Sequence, residues 1–90
     1  MFVKCFLTVF IHAEDSTKVL EQKQKTFTEV LSKQGYETER TKMGKAGRRI
    51  TIYTTIETKG SETAQQAIDR VSQLVSQAID RKTVGRPFKA

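Results

Sequence analysis

Cysteine is nearly absent. The single Cys5 in 90 residues excludes an intramolecular disulfide framework and a cysteine-rich zinc site, and it fits a reducing compartment. Long apolar runs are absent too. Nothing approaches the roughly 20 residues of a membrane-spanning helix. The apolar stretch Cys5 to Ile11 is short and interrupted by Thr8, and the His-Ala-Glu that follows is a poor signal-peptide cleavage site. A cytoplasmic protein without a membrane partner is expected. No glycine-rich phosphate loop opens a helix, and no catalytic signature is present. A non-enzymatic protein with no cofactor and no metal is therefore expected. His12, Glu14 and Asp15 are neighbours, and a histidine beside two carboxylates suits an acid–base pair or half a metal site. They read more simply as a surface histidine ahead of two acids that support a helix start.

Acidic residues are missing from two segments. Residues 40–49 carry Arg40, Lys42, Lys45, Arg48 and Arg49 with no Asp or Glu, and residues 81–90 carry Arg81, Lys82, Arg86 and Lys89, again with none. These nine of the sixteen basic residues leave seven elsewhere against all ten acids, so a chain of net charge +6 is −3 outside the two segments. Such asymmetry points to an anionic partner more strongly than an evenly spread +6.

What is present is strongly patterned, although hydrophobic residues make only 37% of the chain. Residues 2–11 alternate: Val3, Cys5, Leu7, Val9 and Ile11 form an apolar set, with Phe2, Lys4, Phe6, Thr8 and Phe10 on the other side. That period predicts a strand with the first set facing the core. Asp15 or Ser16 caps a predicted helix reaching about Gln34, where Gly35 suits the left-handed residue after a helix end. Residues 36–43 and 48–58 read as two strands of a hairpin across Gly-Lys-Ala-Gly, the second with Ile50, Ile52, Thr54 and Ile56 on one face and Arg49, Thr51, Tyr53 and Thr55 on the other. Ser61 is the expected cap of a second helix, whose Ala64, Ala67, Ile68, Val71, Leu74, Val75, Ala78 and Ile79 make an apolar stripe ending near Asp80. Gly85 and Pro87 then mark residues 81–90 as a basic flexible tail beyond a single domain of residues 1–80. A short strand near 82–85 is the minor alternative.

The order β-α-β-β-α is too small to bury a helix on each side of the sheet, so both helices are expected on one face. A right-handed crossover from the first strand to the second, with the third returning between them, gives the order 1-3-2. The fold class is α+β, a ferredoxin-like split β-α-β-β-α with a three-stranded antiparallel sheet. In that topology the second helix returns toward the hairpin turn, so the two acid-free segments converge at one end as a basic pole.

The sheet face away from the helices sets Lys4, Phe6 and Tyr53 beside Arg49. Aromatics interleaved with cations suit base stacking and phosphate neutralisation, and equally the packing of a second copy. The expectation is a nucleic-acid-binding module for DNA or RNA. It would bind through Arg40, Lys42, Lys45, Arg48, Arg49, Arg81, Lys82, Arg86 and Lys89, with Lys4, Phe6 and Tyr53 contributed by the open face. It would form a homodimer through the β1 edge or that face. Residues 47–55, Gly-Arg-Arg-Ile-Thr-Ile-Tyr-Thr-Thr, do not reproduce the RNA-recognition consensus, offering only Tyr53 as an aromatic. The alternative is a homo-oligomeric protein-interaction module gripping an acidic protein partner.

Overall fold

The computed structural model describes residues 1–12, 14–43 and 49–88, and of residues 39–43 the backbone alone. Six elements follow in the order β1 (Phe2–Phe10), α1 (Thr17–Lys33), β2 (Thr38–Met43), β3 (Arg49–Glu57), α2 (Ala64–Ile79) and β4 (Thr83–Pro87). The strands form one sheet in the order β2-β3-β1-β4. The α+β class, the ferredoxin-like connectivity and the 1-3-2 arrangement of the first three strands are as expected.

The alternation in β1 and β3 decides which face is buried. Cys5, Leu7 and Val9 of β1 and Ile50, Ile52 and Ile56 of β3 lose nearly all contact with solvent. From the helices, Phe27 and Leu31 of α1 and Ala67, Ile68, Val71, Val75 and Ile79 of α2 close over the same face. Polar residues in this layer are satisfied: the Thr54 hydroxyl donates to the Glu37 carbonyl and the Ser72 hydroxyl to the Ile68 carbonyl, which offsets what burial would otherwise penalise.

The helix ends explain where the chain turns. Ser16 caps α1, its hydroxyl accepting from the Val19 N–H at 3.2 Å, and Gly35 after the helix adopts φ +83°. The cap of α2 is Thr63, not Ser61. The Thr63 hydroxyl accepts from the Gln66 N–H while the Gln66 side chain accepts from the Thr63 N–H, a reciprocal capping box. Glu62 meanwhile accepts from the Lys59 N–H and pairs with Arg70 at 2.9 Å. At the other end of α2, Lys23 from α1 donates its ammonium to the Ile79 carbonyl at 3.0 Å, placing a cation where the helix dipole is negative.

Asp80 ends α2 with φ 54° and ψ 43°. A non-glycine residue there carries a steric penalty that glycine avoids. Asp80→Gly is expected to stabilise the fold by up to about 1 kcal/mol, read as a higher urea midpoint at unchanged slope.

Residues 83–87 are the principal correction to the sequence reading. They are not part of a tail. They pair antiparallel with β1, with Leu7 opposite Gly85 and Val9 opposite Thr83, and give the sheet its fourth strand. The pattern hid this strand because its inward-facing middle residue is Gly85, which has no side chain to signal burial. The pairing also corrects the expected homodimer through the β1 edge, since β1 lies between β3 and β4 and has no free edge.

Candidate functional site

Both helices cover one face of the sheet, which leaves the other open. Register fixes its layout. Phe6 of β1 lies opposite Tyr53 of β3 and Arg86 of β4; Lys4 lies opposite Thr55, Phe10 opposite Arg49, Thr8 opposite Thr51 and Val84, and Phe2 opposite Glu57. The aromatics cluster in the middle. Phe6 and Tyr53 have ring centroids 5.9 Å apart, tilted by 47°. Phe88, just beyond β4, meets Tyr53 edge-on at 5.6 Å and 90°, a geometry in which the positive ring edge faces the negative π-cloud.

Phe88 is itself 42% exposed, and the triad is bordered by further exposed apolar groups, Phe2 at 72%, Phe10 at 44% and Val84 at 37%. Around it stand the exposed Lys4, Arg49 and Arg86, none of them ion-paired among the described residues. Below Phe10, Thr8 and Thr51 bridge their hydroxyls at 3.1 Å. The face is thus an apolar centre with a cationic rim, and Glu57 is the exposed acid at its Phe2 end.

Other expected site residues fall differently. Arg40 and Lys42 sit on β2, opposite Tyr53 and Thr51 in register; their side chains lie outside what is described. Lys45, Arg48 and Lys89 lie outside the described residues. Lys82 is exposed just before β4.

Arg81 is not available to a ligand. Its guanidinium donates to both oxygens of Asp15, Nη1 to Oδ2 at 2.9 Å and Nη2 to Oδ1 at 3.1 Å, and the Asp15 side chain is 7% exposed. Asp15 Oδ2 also accepts from the His12 N–H at 2.9 Å. One carboxylate therefore ties the β1–α1 loop to the α2–β4 junction. No composition signal forecasts a pair separated by 66 residues in sequence.

The Arg81 hydrogen bonds hold the Asp15 carboxyl below its ordinary value of 3.8, and desolvation opposes this without reversing it. A depressed folded-state pKa contributes stability that is present above the ordinary value and is lost as pH falls through the folded one. Asp15→Asn is therefore expected to destabilise the protein at pH 7, with the gap to wild type closing below about pH 4. Urea titrations from pH 7 to pH 2.5 read this directly. A gap that ignored pH would detach the pair from stability.

The pairing also answers the acid–base reading of this loop. His12 Nδ1 lies 3.5 Å from Glu14 Oε1 in an exposed contact, while Asp15 is committed to Arg81. Among the described residues no cluster of three His, Cys, Asp or Glu side chains is placed to hold a metal, and no helix is long and apolar enough to cross a membrane.

No protein-family model matches the chain, and no curated protein matches it in sequence. Its fold is similar to that of a solved structure, the P2 domain of the chemotaxis kinase CheA from the thermophile Thermotoga maritima, in complex with the response regulator CheY. The TM-score is 0.69 at 11% identity, over 98% of this chain and 100% of that one. The likeness establishes the shared fold.

The nucleic-acid reading is corrected here, for DNA and RNA alike. The structural neighbour is a domain bound to a protein. The basic pole behind that reading is also weaker than its charge count, because Arg81 is neutralised by Asp15. Furthermore, β4 carries Arg86 away from the Phe10–Arg49 end of the sheet to the level of Phe6. The nine-cation total assumed that no carboxylate of the chain was engaged with them.

Proposed function

We propose that the protein is a non-enzymatic interaction module whose open sheet face docks an acidic protein partner. The observation that carries this is the triad Phe6–Tyr53–Phe88, uncovered by either helix and rimmed by Lys4, Arg49 and Arg86. Aromatic anchors ringed by polar groups are the anatomy of a binding hot spot. Cations on the rim select an acidic partner and speed its approach more than they add affinity. The likeness to a domain solved in complex with a protein supports the same class of role. The buried thiol of Cys5, which forms no disulfide, suits a reducing cytoplasm as the setting.

Affinity retention from a lysate of the source cell tests this. The wild-type chain is compared with a Lys4→Glu/Arg49→Glu variant, both after nuclease treatment. A protein of acidic pI is expected on the wild type, with retention at least about tenfold lower on the variant, because like charges across an interface repel. Equal retention by both chains, or retention abolished by nuclease, would reject the docking face.

A further inference from the structure

We propose that the partner contributes an extended segment, acidic–x–apolar–x–acidic, which adds to the sheet as a fifth strand along the outer edge of β4. This rests on the docking role of the open face and names the form in which the partner arrives.

The backbone supplies the first reason. Phe88 donates its N–H to the Lys4 carbonyl at 2.9 Å. In an antiparallel ladder, residues bonded to the neighbouring strand alternate with residues whose N–H and C=O point away. Arg86 and Val84 therefore bond β1, while Gly85 and Thr83 turn their backbone groups outward. The Gly85 carbonyl agrees: it accepts a 3.3 Å bond from Gln65 Nε2 of α2, a side chain standing where a strand would donate. Pro87 has no N–H, so it limits the ladder to the Thr83–Gly85 stretch.

The side chains supply the second reason. The register places Arg86 level with Phe6 and Val84 level with Thr8, and extending it by one residue sets Lys82 level with Phe10. All three are exposed and stand on the open face, two cations flanking one apolar group. Neither Lys82 nor Arg86 is ion-paired among the described residues. A strand laid alongside brings its own same-face residues directly opposite, where opposite charges and apolar pairs stabilise. It therefore needs an acid, an apolar residue and an acid at every second position.

The intervening positions face a groove between α2 and β4 lined by Gln65, Asp69, Gln73 and Ser76. Asp69 repels acids there, so the intervening residues are small and neutral, and the pattern has one orientation on the sheet. The added strand would continue the aromatic–cationic face outward from Arg86. This is strand addition to an outer edge, the added strand's N–H replacing Gln65 Nε2 on the Gly85 carbonyl, with backbone bonds giving affinity and alternate side chains giving specificity.

The probe is the capped peptide Ser-Glu-Ser-Val-Ser-Glu-Ser, titrated into the full chain, with amide hydrogen exchange followed residue by residue. Exchange at Gly85 and Thr83 is expected to slow at least about tenfold, with Arg86 unchanged because its N–H already bonds β1. The same peptide with Lys in place of Glu is expected to have no effect. Thr83→Pro removes an outward N–H without breaking the ladder to β1 and is expected to weaken the peptide at least about tenfold. Should that variant unfold, exchange in the unaltered chain decides alone. A peptide that shifts Phe6 and Tyr53 signals without protecting Gly85 would overturn strand addition and leave the docking face intact. No binding at millimolar peptide would overturn it as well. Protection without peptide that rises with protein concentration, with a doubled mass on sizing, would assign the edge to a second copy instead.

Discussion

Gly85→Val is expected to destabilise the fold by about 3 kcal/mol, at the upper end of what overpacking a core produces. A Cβ built at Gly85 lies 2.5 Å from Ile68 Cγ2, 2.6 Å from Leu7 Cδ2 and 2.7 Å from Ser72 Oγ. None of the three can easily yield. Ile68 and Leu7 are fully buried, and the Ser72 hydroxyl is held by the Ile68 carbonyl at 2.8 Å. The helix α2 rests directly on the β4 backbone, so a side chain at position 85 must push the two apart. A chain of this size has a total stability of roughly 5–13 kcal/mol, so the loss is a large share of it. Urea unfolding of the variant measures it; a midpoint near wild type would mean that α2 and β4 can separate without penalty. Gly85→Ala is expected to behave in the same direction with a smaller loss.

Tyr53→Ala is expected to weaken the acidic partner by about 30-fold or more, roughly 2 kcal/mol. Tyr53 touches both other members of the aromatic triad, so its removal takes away its own ring and the support that orients Phe6 and Phe88. Isothermal titration against the protein retained on the wild-type chain gives the number. The charge-reversal variant is expected to act differently, mainly through a slower association rate and a weaker salt dependence, since rim charges steer encounter. A Tyr53→Ala chain that kept wild-type affinity would move the contact off this face.

The elements most legible in the sequence were those whose burial is written in side chains. Val3, Cys5, Leu7 and Val9 alternate against Lys4, Phe6 and Thr8, and the apolar stripe of α2 repeats at three and four. Both patterns carry their period openly. The fourth strand was legible only as the minor alternative, because its inward-facing middle position is a glycine and its final residue a proline, each of which signals a turn when read locally. The ladder to β1 overrides that local preference. The cap of α2 was misplaced by two residues because Ser61 and Thr63 are both good caps; the choice falls to Thr63, since only there does Gln66 stand three residues on to complete the reciprocal pair.

The aromatic–cationic face was visible from alternation alone, down to Phe6, Lys4 and Tyr53. Phe88 was missed with β4. The nature of the partner was misjudged for an electrostatic reason. Counting cations by segment treats every one as available, whereas the bidentate Asp15 pair removes Arg81, and the direction of β4 spreads the others along the sheet.

Site-specific photocrosslinking in the source cell tests the docking face most directly. A photoreactive phenylalanine analogue at Phe10, on the open face, is compared with one at Lys25, exposed on α1. A discrete crosslink to an acidic protein is expected from Phe10 and not from Lys25. The reverse pattern, or crosslinks from Phe10 to nucleic acid alone, would contradict the face as a protein-docking surface.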